Sequence, residues 1–233
     1  RYLDSKRSVL LFSMGVVLVE GDGEEILIPN MIKIALGVSL DELGIGLVNV
    51  GSVSFEYIAS LFSEERIKRS CAIVTDEDIQ IVETDSKLYK VEAETRGKSR
   101  KEKLKTLYDG NPWVESFYAP HTLEVDFALV DERANSDFIN KIIDLHYVDS
   151  NTITKHKKNL KQGTDAACAG TALTLARDMG KGWYATILSN YIDVTVCIPQ
   201  YILQAVAFAS REVISIDIVF KMVEYSISEY EEN

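Results

Sequence analysis

Glu20 stands directly after the apolar run Val16-Val17-Leu18-Val19, and Glu24 follows four residues later. Asp76 and Asp78 close a second apolar run, Cys71-Ala72-Ile73-Val74-Thr75. Glu124 follows a third hydrophobic stretch, Trp113 to Tyr118, across the turn Ala119-Pro120-His121-Thr122. Carboxylates gathered at one place repel and keep their protons unless a cation sits among them. An all-oxygen set of this kind suits Mg²⁺ or Mn²⁺. The chemistry within reach is that of a bound divalent cation, which can activate water or polarise an oxygen.

Such a site needs a scaffold that brings strand ends together. Buried apolar runs at 16–19, 45–50, 71–75 and 113–118 read as strands, with helical spacing between them. Gly23 to Leu36 reads as a helix whose first turn carries acids, where the helix dipole favours them, and Gly37 suits its carboxyl-terminal cap. Phe55 to Phe62 reads as a second helix. Alternating strands and helices predict a parallel sheet, and ligands in open α/β sheets bind outside the carboxyl ends of the strands. Gly21 and Gly23 are expected to turn the chain sharply after the first strand.

Residues 79–111 are polar and charged and read as an excursion from the core. They carry the basic run Arg96-Gly97-Lys98-Ser99-Arg100-Lys101. A second basic run, Lys155-His156-Lys157-Lys158, lies in the polar stretch 150–161. Lys98, Arg100, Lys101, Lys157 and Lys158 are candidates for contacts to nucleic-acid phosphates; a solvated helix face is the other reading of both runs. Beyond Val125 the pattern turns helical, over 126–147, 164–179 and Trp183 to Tyr191, and from Leu203 helix and apolar runs alternate to an acidic tail. The expected division is an α/β core over 14–125 and a mainly helical region over 126–233.

Composition bounds the function. The 233 residues carry a formal net charge of −11, which argues against non-specific attachment to nucleic acid. It leaves room for a nucleic-acid enzyme that uses charge locally. No apolar run approaches the ~20 residues of a membrane span, so no membrane partner is expected. Cys71, Cys168 and Cys197 are scattered and fit a reducing cytoplasm. His121, His146 and His156 have no metal-pair spacing; His121 could reach the site, with a structural role the other reading. Trp183 and Tyr184 read as core aromatics. The opening RYLDSKRSVL reads like the interior of a longer protein.

The segments VVLVEGDGEEILIP, LGIGLVNVGS, CAIVTDED, PHTLEVDFAL and GKGWYATILS resemble the Toprim region of OLD (overcoming lysogenization defect) nucleases, from residue 14 to about 190. The resemblance is to the class 2 branch, which includes the nuclease of the Gabija anti-phage system. It implies a Rossmann-like parallel sheet flanked by helices and a metal-dependent DNA endonuclease using two Mg²⁺ or Mn²⁺ ions. Carried over by position, Glu20, Glu24 and Asp76 would hold one ion. Asp78 and Glu124, with the Thr122 hydroxyl, would hold or approach the second, and Lys181 would be the catalytic lysine. Gln80 departs from the family, which often has a further acid there. The resemblance further implies DNA as partner, ATP acting only through an upstream ATPase domain that also makes homo-oligomers, and a helicase partner for a Gabija-type protein. Two other readings stay open: a phosphohydrolase of the dehalogenase type using Asp76 as nucleophile, and a non-catalytic metal-binding interaction module.

Overall fold

The computed structural model describes residues 8–51, 55–81 and 87–212. In chain order the elements are α1 (Val9–Phe12), β1 (Gly15–Val19), α2 (Asp22–Leu36), β2 (Ile45–Asn49), α3 (Phe55–Ala59), β3 (Ser70–Asp76), α4 (Lys87–Tyr108), β4 (Val114–Ala119), α5 (Leu123–Arg133), α6 (Ser136–His146), α7 (Ser150–Gln162), α8 (Asp165–Met179), α9 (Lys181–Ser189) and α10 (Gln200–Ser210). The acidic tail expected after Leu203 lies outside the described residues.

The four strands form one parallel sheet in the order β2-β1-β3-β4. The α/β reading of the sequence is therefore correct. β1 is buried along its whole length, and β3 at all but its last residue. Both strands are continuous apolar runs because helices cover both faces of the sheet. Leu18 pairs with Ile73, so Glu20 and Asp76 emerge at the same end of neighbouring strands.

One face of the sheet packs on α3 and α4 through Val16, Leu18, Ile73, Phe62 and Leu104. The other face belongs to a larger core in which Val17, Val19 and Val74 join Leu27, Phe127, Ile139, Leu175, Tyr184 and Val206. This core runs without a break from the strands into the helices beyond residue 125. α10 crosses the sheet so closely that a Cβ on Gly15 would stand 1.8 Å from the Ala209 carbonyl oxygen. Glycine is obligatory there for space, since backbone atoms cannot yield as a side chain can.

Three local readings change. The helix expected over 126–147 is two, α5 and α6. Val130 is extended, and Asp131, Glu132 and Arg133 have positive φ. Asn135 holds the break, donating to Phe127 and Cys197 carbonyls at 3.1 and 2.8 Å and accepting from the Cys197 amide at 2.9 Å. The polar stretch 150–161 is a regular helix, α7, whose Asp149 cap accepts from the Thr152 amide at 2.7 Å. The second helix is shorter than expected, ending at Ala59.

Candidate active site

Glu20 leaves β1 with its carboxylate accepting the Thr75 hydroxyl from the end of β3. Two strand ends are tied together at the first acid. Gly21 follows in an extended conformation, φ −143° and ψ 172°, which any residue could adopt. Its role is space rather than a sharp turn: a Cβ there would meet Glu24 Oε2 at 3.0 Å. Glu24 sits in the first turn of α2 and folds back over Gly21 toward Glu20. Glu25, its neighbour, instead accepts from Asn49 Nδ2 at 3.2 Å, on the β2 side.

Asp76 is the last residue of β3, and Asp78 lies two residues on with φ 55°. Aspartate is among the few side chains that adopt the left-handed region readily. Gln80 donates to the Asp78 carbonyl at 2.9 Å. His121 Nδ1 approaches the Ile79 carbonyl at 2.6 Å, joining the loop after β4 to the loop after β3. That contact gives His121 a structural role.

Glu124 is not at a strand end. It occupies the first turn of α5, which Thr122 precedes as the residue flanking the helix. The residue is 3 % exposed, and its Oε1 lies over Gly23 of α2. Lys181 begins α9, directly after Gly180 with φ 84°. Its Nζ reaches Glu124 Oε2 at 3.2 Å. The amino ends of α2, α5 and α9 thus meet beside the carboxyl ends of β1 and β3. Helix dipoles favour Glu24 and Glu124 there and disfavour Lys181; the carboxylates hold the lysine against that field.

The electrostatics are those of crowded acids. Burial raises the Asp76 pKa well above the usual aspartate value, and the Glu24, Glu20 and Asp78 charges raise it further. Burial also raises Glu24, with Glu124 and Glu20 adding to it and its own backbone hydrogen bond and Lys181 opposing. Burial alone would lower the Lys181 ammonium, but Glu124, Asp76 and Glu24 override it and hold it above the usual lysine value. Asp126, one turn into α5, is pushed up to about 7 by burial, against a backbone hydrogen bond from His121 and with the Glu124 charge adding.

These residues fit a divalent cation. Their donors are all oxygens, burial and then neighbouring acids raise the pKa of two carboxyls, and Thr122 Oγ1 is buried with no partner. Among the described residues no three acids already stand as a closed metal cage. Cationic side chains are drawn in among them instead.

The basic candidates divide. Arg100 and Lys101, on α4, come to the acids: Arg100 contacts Glu20 and Asp78, and Lys101 pairs with Glu77 and lies over the Tyr118 ring. Lys98 pairs with Glu94 on the exposed side of the same helix. Lys157 pairs with Asp144 between α7 and α6, and Lys158 is exposed on α7. Tyr201, from α10, was not legible as a site residue. It is buried and its hydroxyl is pushed far up, first by burial and then by Asp126, Asp76, Glu24 and Glu124. Tyr184 is fully buried as expected, whereas Trp183 is 60 % exposed and packs no core.

Residues 11–78 match the family model "Overcoming lysogenization defect protein-like, TOPRIM domain". No curated protein is significantly similar to the chain in sequence. The fold is similar to the C-terminal region of the Burkholderia pseudomallei OLD protein, with TM-score 0.63 and 22 % identity over 87 % of this chain and 100 % of that one. It is also similar to the C-terminal region of the Xanthomonas campestris pv. campestris OLD protein, with TM-score 0.55 and 23 % identity over 93 % and 99 %. Residues 11–78 are therefore similar to an OLD-like Toprim domain, set in a chain with the fold of OLD carboxyl-terminal regions.

Proposed function

We propose that this chain is the catalytic module of an OLD-type nuclease, hydrolysing DNA phosphodiesters with divalent cations. The observation that carries the reading is the convergence of Glu20, Glu24, Asp76, Asp78 and Glu124 at the carboxyl ends of β1 and β3, with the Lys181 ammonium 3.2 Å from Glu124. The match of residues 11–78 to an OLD-like Toprim family model supports a nuclease-type module.

Glu20, Glu24 and Asp76 would hold one cation, and Asp78, Glu124 and the Thr122 hydroxyl a second. Such a pair would supply an activated water and charge stabilisation at the departing oxygen. The protein's own part is to fix these oxygens and to aim Lys181 at the same place. An ammonium fixed beside a scissile phosphate stabilises charge that develops in the transition state. Glu124 orients that ammonium through the 3.2 Å contact. The dehalogenase-type alternative would use Asp76 alone and leave Glu20 and Glu124 idle, although both lie in the same cluster. In this reading ATP acts only through a preceding ATPase domain, and a helicase partner follows for a Gabija-type protein.

The test is nicking of supercoiled plasmid in Mg²⁺ or Mn²⁺. Wild-type protein cuts, while Glu20→Ala and Lys181→Ala lose the activity. Equal cutting by all three would remove the assignment.

A further inference from the structure

Arg100 is placed where its helix cannot avoid the acids. Gly97, one turn earlier on α4, packs on the backbone after β3: a Cβ there would stand 2.2 Å from the Glu77 carbonyl oxygen. This contact brings the next turn of α4 down on the Asp76–Asp78 segment. The Arg100 guanidinium then reaches Glu20 Oε1 at 3.1 Å and Oε2 at 3.3 Å through one terminal nitrogen. The other terminal nitrogen donates to the Asp76 carbonyl at 2.7 Å and lies 3.6 Å from Asp78 Oδ2.

The fit is imperfect in an informative way. A guanidinium made for permanent pairing presents its fork to one carboxylate. Here three separate groups share it, and its Nε is buried without a partner. The oxygens around it, from two carboxylates and a carbonyl, are those a hard divalent cation takes.

Charge gives the same answer. Five carboxylates, of Glu20, Glu24, Asp76, Asp78 and Glu124, face two cationic side chains, Arg100 and Lys181. Two divalent ions added to that set would leave it one charge positive. With Arg100 withdrawn the same set is neutral.

We propose that Arg100 is the resident counter-ion of the acid cluster, and that its contacts to Glu20 and Asp78 and the binding of divalent metal exclude one another. This rests on the metal-binding reading of the site. Arg100 is a positioning residue in this scheme. It keeps Glu20 and Asp78 together while no metal is bound and leaves when one arrives.

The experiment measures Mn²⁺ affinity by calorimetry, and melting temperature with and without saturating Mn²⁺, for wild type, Arg100→Gln, Arg100→Lys and Glu20→Gln. Removing a competitor worth one charge pair tightens Mn²⁺ binding in Arg100→Gln by about tenfold, with Arg100→Lys between it and wild type. Metal-free Arg100→Gln melts below wild type, and the gap closes at saturating Mn²⁺. Unchanged or weaker Mn²⁺ binding in both arginine variants overturns the proposal while leaving the metal site intact. A melting gap that persists undiminished in Mn²⁺ also overturns it, since Arg100 is then only a brace for α4. If wild type binds no Mn²⁺ that Glu20→Gln abolishes, the metal-binding reading falls together with the proposal.

Discussion

Lys181 Nζ and Glu124 Oε2 lie 3.2 Å apart, joining the first turn of α9 to the first turn of α5 over the carboxyl end of the sheet. The partners are unequal: the Glu124 side chain is 4 % exposed and that of Lys181 is 57 % exposed. The carboxylate is fixed and the ammonium has room to follow a substrate. Replacing Lys181 with Met should lower cleavage by about 10²–10³-fold, the loss seen when one charge-stabilising donor is removed. Mn²⁺ binding should survive, because all the oxygen donors remain. Single-turnover cleavage and Mn²⁺ calorimetry on the same preparation separate the two effects.

Thr122 Oγ1 is buried and makes no hydrogen bond. Thr122→Val keeps the shape and removes a hydroxyl that contributes no internal bond, so metal-free stability should stay level or rise. Affinity for Mn²⁺ should fall severalfold if that oxygen is a ligand. A melt and a metal titration of this one variant are enough, and an unchanged affinity excludes the hydroxyl from the metal set.

Asp76 and Glu24 both have raised pKa values, so a metal ion, which binds their ionised forms, competes with protons for them. Mn²⁺ affinity should therefore increase with pH until both carboxyls are ionised. The binding enthalpy should also vary with the ionisation enthalpy of the buffer. Affinity independent of pH would contradict the crowding that the geometry implies.

Asp126 gives a stability signature of its own. Its carboxyl is raised from 3.8 to about 7. Between those values the folded protein holds a proton that the unfolded chain has lost. Stability contributed by Asp126 is thus full below the lower value and declines as pH rises toward the upper one. Asp126→Asn should flatten that decline in the metal-free protein, read from denaturant midpoints at pH 5 and pH 7.5.

Two glycines should respond in opposite directions. Gly97→Ala drives a methyl into the Glu77 backbone, which should cost about 1–3 kcal/mol and lift Arg100 off the acids. Gly170, inside α8, has nothing within 4 Å of its missing Cβ. Gly170→Ala should add about 0.5–1 kcal/mol. Thermal melts of the two variants compare a functional close approach with an ordinary helical glycine.

Much of the site could be read from the chain because its acids follow apolar runs. Val16–Val19 and Cys71–Thr75 are unbroken hydrophobic strands, so Glu20, Asp76 and Asp78 mark where each one ends. Glu124 was legible as an acid of the site but not as a helical residue, since Pro120 and His121 mask the start of α5. The break at Val130–Arg133 has no Gly or Pro to announce it; Asn135 imposes it through bonds to Phe127 and to Cys197, distant in sequence. Arg100 could not be told from Lys98 by composition. Which face of α4 meets the acids is set by the packing of Gly97 on Glu77, a contact across the fold. Tyr201 was invisible for the same reason, since only the crossing of α10 over the sheet brings it to the cluster.

The close passage of Ala209 over Gly15 bears on how the protein is made. A ribosome releases β1 nearly two hundred residues before the helix that covers it. Until α10 emerges, one side of the strand that carries Glu20 lacks part of its cover. A sheet completed by so distant a segment forms slowly, because a long loop must close before the contact is gained. Docking of α10 is therefore a late step, which completes the cover of a sheet whose strands were made long before it.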